Sequence, residues 1–124
     1  MGYLAFEVDK KSRKDLKKIF EPQFKEFIGH HVTYKFGVKS NEKLPNKPKI
    51  AKVVGYVKND KGLEALVVEI NGSTKRPDGK TFHITWSLDR SAGFKPVHSN
   101  NLLTSGKWEN VNPIEIKLNP KFFK

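Results

Sequence analysis

Apolar residues in this chain keep returning with a period of two. From Tyr3 to Val8, Leu4, Phe6 and Val8 fall on one flank of an extended chain and Tyr3, Ala5 and Glu7 on the other. The same period runs through His30–Val38 and Thr81–Leu88 and ends at Ile114, Ile116 and Leu118. Such a segment buries one flank only, so a chain built from several of them must form sheet with one face on a core. Ile50–Val57 and Leu63–Ile70 are continuous apolar runs around Asn59-Asp60-Lys61-Gly62, which predicts a hairpin. Helix is scarce. Ser12 followed by Asp15 predicts an N-cap and its capping-box partner, with Leu16, Ile19 and Phe20 as the buried stripe. Pro22 ends that helix, and Phe24, Phe27 and Ile28 are expected in a further short helical turn. Lys39–Lys49 and Asn71–Lys80 read as loops, and Asp89–Asn112 as irregular. The expectation is one α+β domain over residues 1–124, with about six strands in antiparallel sheet.

At 124 residues the chain is long enough for a core without staples, and its lack of cysteine excludes disulfides and thiolate metal sites. No apolar run reaches the length of a membrane span, and the opening residues run directly into Glu7, unlike a signal peptide. A soluble, cytoplasmic protein with no membrane partner is expected. Twenty-four Lys and Arg against thirteen Asp and Glu give a net charge of +11, a field that attracts polyanions. The run Asp9–Lys18 is the densest part of it. It reads equally as a solvated helix face and as a phosphate-contacting surface.

The same alternation separates two neighbouring histidines. On the strand from His30 to Val38, His31, Thr33 and Lys35 share one flank, while His30, Val32, Tyr34, Phe36 and Val38 share the apolar one. His30 is therefore assigned to structure. On the later strand His83, Thr85, Ser87 and Asp89 share a flank, with Phe82, Ile84, Trp86 and Leu88 on the core side. Both strands thus present His-x-Thr away from the core. One copy carries no weight, but a matched pair is moderately specific.

Two imidazoles suit metal-free phosphodiester cleavage. One takes a proton from the attacking oxygen while the other gives one to the leaving oxygen. Each threonine hydroxyl, on the same flank, donates to a non-bridging phosphate oxygen. The candidate catalytic set is His31, Thr33, His83 and Thr85, with a bell-shaped pH–rate profile whose limbs fall between about pH 5 and 8. Metal binding is the weaker rival, because no carboxylate or third histidine accompanies either motif at ligand spacing, and His98 sits in a loop without an evident partner. Four further residues are substrate-binding candidates. Tyr3 either stacks a base or covers a sheet edge. Lys35 either adds charge at the phosphate or is solvated. Lys75 and Arg76 either contact phosphates or decorate a loop.

His31-Val32-Thr33 and His83-Ile84-Thr85, each within an apolar run, resemble the paired His-hydrophobic-Thr/Ser motifs of the 2H phosphoesterases, also called LigT-like proteins. The resemblance extends to the order of elements: an opening strand and helix, a motif strand, a hairpin, and a second motif strand. It implies two small antiparallel lobes with pseudo-two-fold symmetry around a central cleft, with few helices. It also implies a monomeric, cofactor-free and metal-independent phosphodiesterase. Substrates would be RNA ends with a 2′,3′-cyclic phosphate, 2′-5′ oligonucleotides or cyclic (di)nucleotides. The motif histidines are 52 residues apart (31 to 83), short for the family, so the chain reads as a compact member. The alternative is a non-catalytic basic nucleic-acid-binding module, which has no need of two matched His-x-Thr units.

Overall fold

A computed structural model of the chain describes residues 2–104 and 107–124. The elements run β1 (Gly2–Val8), α1 (Lys10–Ile19), β2 (Glu26–Phe27), β3 (His31–Val38), β4 (Ala51–Asn59), β5 (Leu63–Ile70) and β6 (His83–Leu88). A 3-10 turn (Arg90–Ala92), α2 (His98–Leu103), β7 (Glu109–Glu115) and β8 (Leu118–Phe123) complete them. The strands make one antiparallel sheet in the order β7-β4-β5-β6-β3-β1-β8, with β2 added beside β6. The α+β class with few helices is as expected. The strands, however, join in one sheet rather than two separate ones. The groups β7-β4-β5-β6 and β3-β1-β8 meet at a thin seam, where β3 and β6 share the single registered pair Val32–Ile84.

The sheet must curl. β7 and β8 lie at opposite ends of the strand order, yet only Ile116 and Lys117 separate them. Three peptide steps of about 3.4 Å allow the two edges to lie no more than about 10 Å apart at that end. The result is a curled half-barrel around Phe6, Leu66, Ile84, Trp86 and Leu118. The link is pinned on both sides. Ile116 N–H donates to the Ala51 carbonyl at 2.9 Å, and Asp9 N–H donates to the Lys117 carbonyl at 3.0 Å.

Several local expectations change for identifiable reasons. Asp9, not Ser12, caps α1, its carboxylate accepting from the backbone N–H groups of Lys11 and Ser12. Ser12 is buried and its hydroxyl accepts from Lys117 N–H at 2.9 Å, while Asp15 pairs with Lys11 on the surface. Of the predicted stripe Leu16 is fully buried, Phe20 is half-buried and Ile19 is 55 % exposed. The segment expected as a helical turn is extended instead. β3 leaves β6 after one pair, and Ile28 and Gly29 donate to the carbonyls of Trp86 and Thr85 at 2.8 and 3.0 Å, satisfying an edge that would otherwise be bare. α2 forms inside the segment expected to be irregular, and the final alternation is split between β7 and β8. Trp86 is buried as expected and donates its indole N–H to the Phe20 carbonyl at 2.8 Å.

The basic run divides. The Arg13 guanidinium donates to the carbonyls of Ile28 and Gly29 and lies 4.2 Å over the Phe27 ring, so it is built into the fold. Lys10, Lys11, Lys14, Lys17 and Lys18 stay exposed. Among the described residues no helix is long and apolar enough to cross a membrane. Leu16→Ala is expected to cost about 2–5 kcal/mol in urea unfolding, because it empties the only fully buried anchor of α1. Ile19→Ala in the same stripe should change stability by no more than about 0.5 kcal/mol.

Candidate functional site

The Val32–Ile84 pair decides what faces what. His31 and Thr33 flank Val32, and His83 and Thr85 flank Ile84, so all four fall on the face opposite the two core side chains. All four motif side chains line one cavity of about 280 Å³. Thr33, His83 and Thr85 are buried, and His31 is half-buried.

Tyr3 and Arg76 also line this cavity, whereas Lys35 and Lys75 do not. The fate of Lys35 follows from a bulge. On the β1–β3 ladder Ala5 pairs with Thr33 but Leu4 pairs with Lys35, so Tyr34 is skipped and the strand changes flanks. Lys35 turns away and binds Glu42 at 2.9 Å. Phe36, expected in the core, instead pairs with Tyr3 on the cavity face and is 50 % exposed. Lys75 is an exposed residue bridged to Thr81.

Arg76 is almost entirely buried. Asp78 accepts from its Nε at 3.1 Å and from Nη2, and the guanidinium lies 5.6 Å from the Phe36 ring centre. Among the described residues Nη1 is buried without a partner. A buried cationic N–H with nothing to donate to is costly, and an anionic oxygen in the cavity would relieve it.

The histidines carry the same message. The Thr81 carbonyl sits 2.8 Å from His83 Nδ1 and can only accept, so Nδ1 bears the hydrogen and Nε2 is left for the cavity. Burial lowers the His83 pKa below the usual histidine value; the Thr81 bond opposes this, and Arg76 adds to it. His31 is pushed down to about 4 by burial first, then by His30 and His83. Both rings are therefore neutral at pH 7 in the free protein. Thr85 Oγ1 lies 2.9 Å from Ser99 Oγ and 3.3 Å from the Pro96 carbonyl, which ties the start of α2 over the site.

His30 is not a core residue. β3 begins only at His31, because Gly29 (φ +52°) turns the chain, so His30 falls outside the alternation and is exposed. Its Nδ1 lies 3.1 Å from His31 Nδ1. The rings of Tyr3, His31 and Phe123 gather at the cavity rim, with centroids 5.2–5.4 Å apart. His98 starts α2, its Nδ1 accepting from Lys95 N–H at 3.1 Å. Sequence reasoning missed Phe36, Pro96, Val97 and Asn100 as lining residues. The last three come from the segment read as irregular, and nothing in the alternation signals the bulge that moves Phe36.

Among the described residues no group of three or more His, Cys, Asp or Glu side chains is placed to hold a metal ion. In comparisons with known proteins, no family model, curated protein or solved structure matches this chain. What the site does must be argued from its own chemistry. Arg76→Met should raise the His83 pKa by removing a neighbouring positive charge. An NMR pH titration of the imidazole Hε1 signals checks this, and an unmoved or lowered midpoint contradicts the electrostatic account.

Proposed function

We propose that the chain is a metal-independent phosphodiesterase of the 2H type, acting on RNA 2′,3′-cyclic phosphate ends, 2′-5′ oligonucleotides or cyclic (di)nucleotides. In this reading the two strand groups are its lobes, related by a pseudo-two-fold axis through the Val32–Ile84 seam. One observation carries it: His31, Thr33, His83 and Thr85 line a single cavity beside a buried arginine nitrogen that has no partner among the described residues. Two proton-transfer groups and an unmet cationic donor around one small volume fit a phosphodiester better than any neutral ligand.

The phosphate lies between the imidazoles, with its non-bridging oxygens toward Thr33 and Arg76. One imidazole accepts a proton from attacking water as the new P–O bond forms. The opposite P–O bond breaks, and the other imidazole, as imidazolium, protonates the departing oxygen. Charges on protein and proton are conserved over the step, and the next turnover begins once the two rings exchange their proton with solvent. Tyr3 and Phe36 at the rim offer faces for a base attached to that phosphate.

The free-protein pKa values make this site wait for its ligand. The reaction needs one protonated ring, but burial and neighbouring positive groups keep both neutral at pH 7. An arriving phosphate supplies the negative charge that raises both pKa values. The kcat/KM profile, which reports the free enzyme, should therefore peak on the acid side of pH 6.5, with an acid limb near 4, below the window expected from unshifted histidines. The kcat profile should peak at higher pH. Coincident optima would contradict this sequence of charging.

A non-catalytic basic module is the second reading, favoured by the exposed lysines of α1. A panel of 2′,3′-cyclic-phosphate RNA, linear 2′-5′ oligoadenylate, a cyclic dinucleotide and a cyclic mononucleotide, assayed in chelator, separates the two. As an enzyme, His31→Ala and His83→Ala should each lower turnover about 10²–10⁴-fold and largely spare binding. As a binder, neither matters, and binding that weakens steeply with salt dominates. Turnover surviving in the double variant excludes the catalytic reading.

A further inference from the structure

The site is supported from one side by a histidine that sequence alternation misassigns. His30 Nδ1 is 3.1 Å from His31 Nδ1, and the Glu7 carboxylate lies 3.7 Å from His30 Nε2, at ion-pair range. Glu7 is the residue registered opposite His31 on β1, and Lys121 from β8 stands 3.6 Å from the same Glu7 oxygen. Phe123 packs against both imidazoles, at 5.4 Å from His30 and 5.3 Å from His31. The cavity side of His31 is faced by Tyr3, His83 and Arg76. Among the described residues no carbonyl or carboxylate bonds His31 Nδ1, unlike His83 Nδ1, which has the Thr81 carbonyl. Its hydrogen-bond partner is another imidazole, able to accept or donate.

From this we propose that His30, oriented by Glu7, is a positioning residue that decides which ring nitrogen of His31 carries the hydrogen. The inference rests on the phosphodiesterase reading for its functional consequence, but not for its chemistry. With the Glu7 carboxylate, 3.7 Å from Nε2, favouring the hydrogen on that nitrogen by its charge, neutral His30 has a lone pair on Nδ1 and accepts from His31 Nδ1–H. That leaves the His31 Nε2 lone pair facing the cavity, as a general base requires. When His30 gains a second hydrogen, its Nδ1 becomes a donor. His31 Nδ1 must then accept, its own hydrogen is carried on Nε2, and the ring is silenced as a base while still uncharged. A second hydrogen on His30 therefore switches off His31 through its neighbour, without charging the His31 ring.

The two histidines of the site are thus held differently. The backbone fixes the tautomer of His83 permanently, whereas that of His31 is conditional.

Imidazole ¹⁵N NMR on the whole labelled chain reads this directly. In the wild type above the His30 titration, His31 should show a protonated Nδ1 and a bare Nε2, inverting with the same midpoint as His30 protonation. His30→Phe, which keeps a ring against Phe123, should abolish both the bias and the shared midpoint. Glu7→Gln should weaken the bias. On any substrate of the panel that turns over, His30→Phe should lower kcat on the order of 10- to 100-fold with KM unchanged, the range seen when a functional histidine loses its orienting partner. A bare Nδ1 on wild-type His31 above that titration, or a tautomer indifferent to His30→Phe, overturns the proposal. If the tautomer behaves as described and no substrate turns over, the phosphodiesterase reading fails and the tautomer control stands.

Discussion

The Val32–Ile84 pair is the hinge of the whole arrangement. It is the single registered contact between β3 and β6, and it joins two strand groups that are each well paired internally. Because both residues of the pair are buried, a one-residue slip would put one motif on the other strand's core flank and separate the two histidines onto opposite faces. The brevity of the contact matters as much. Where β3 diverges, the chain before it takes over the β6 edge through Ile28 and Gly29, and Gly29 then turns His30 out of the strand. A Cβ on Gly29 would come within 2.7 Å of Phe27 and 3.0 Å of Trp86, so this turn tolerates no side chain.

The electrostatics of the cavity work against the empty protein. Two imidazoles and a guanidinium share a small volume in which charge is poorly screened, and among its lining residues there is no carboxylate. Among the described residues the only acid bound to Arg76 is Asp78, two residues away, which occupies Nε and Nη2 and leaves Nη1 over. A structural ion pair would satisfy its own donors. Among the described residues one donor is left buried and idle, and a cavity that gathers it with two imidazoles of lowered pKa is where function is expected.

Much of this was legible in the residues, and the failures have physical causes. Period-two alternation located the motif strands, the hairpin and the buried Trp86, since strand geometry acts through near neighbours. It placed His31 and His83 on the non-core flank but could not see the Tyr34 bulge, which is a property of the β1–β3 pairing rather than of β3. That bulge exchanged Lys35 for Phe36 at the cavity. Ser12 resembled a cap in sequence, but its hydroxyl is taken by Lys117, more than a hundred positions later. Nothing local reveals so distant a partner. Arg76 and Lys75 were equivalent on paper, and only the fold separated the buried cation from the exposed one.

The two-residue link at Ile116 and Lys117 also orders events in time. The last strand, β8, covers the β1 edge and brings Phe123 against Tyr3, His30 and His31. While the chain emerges from the ribosome, residues 2–104 already contain every residue that lines the cavity, yet the His30–His31 pair lacks the ring that packs it until residue 123 has been added. Chain closure across the half-barrel is a long-range step and hence a slow one. Nascent protein would therefore hold its cavity-lining residues before the strand that packs a ring against them.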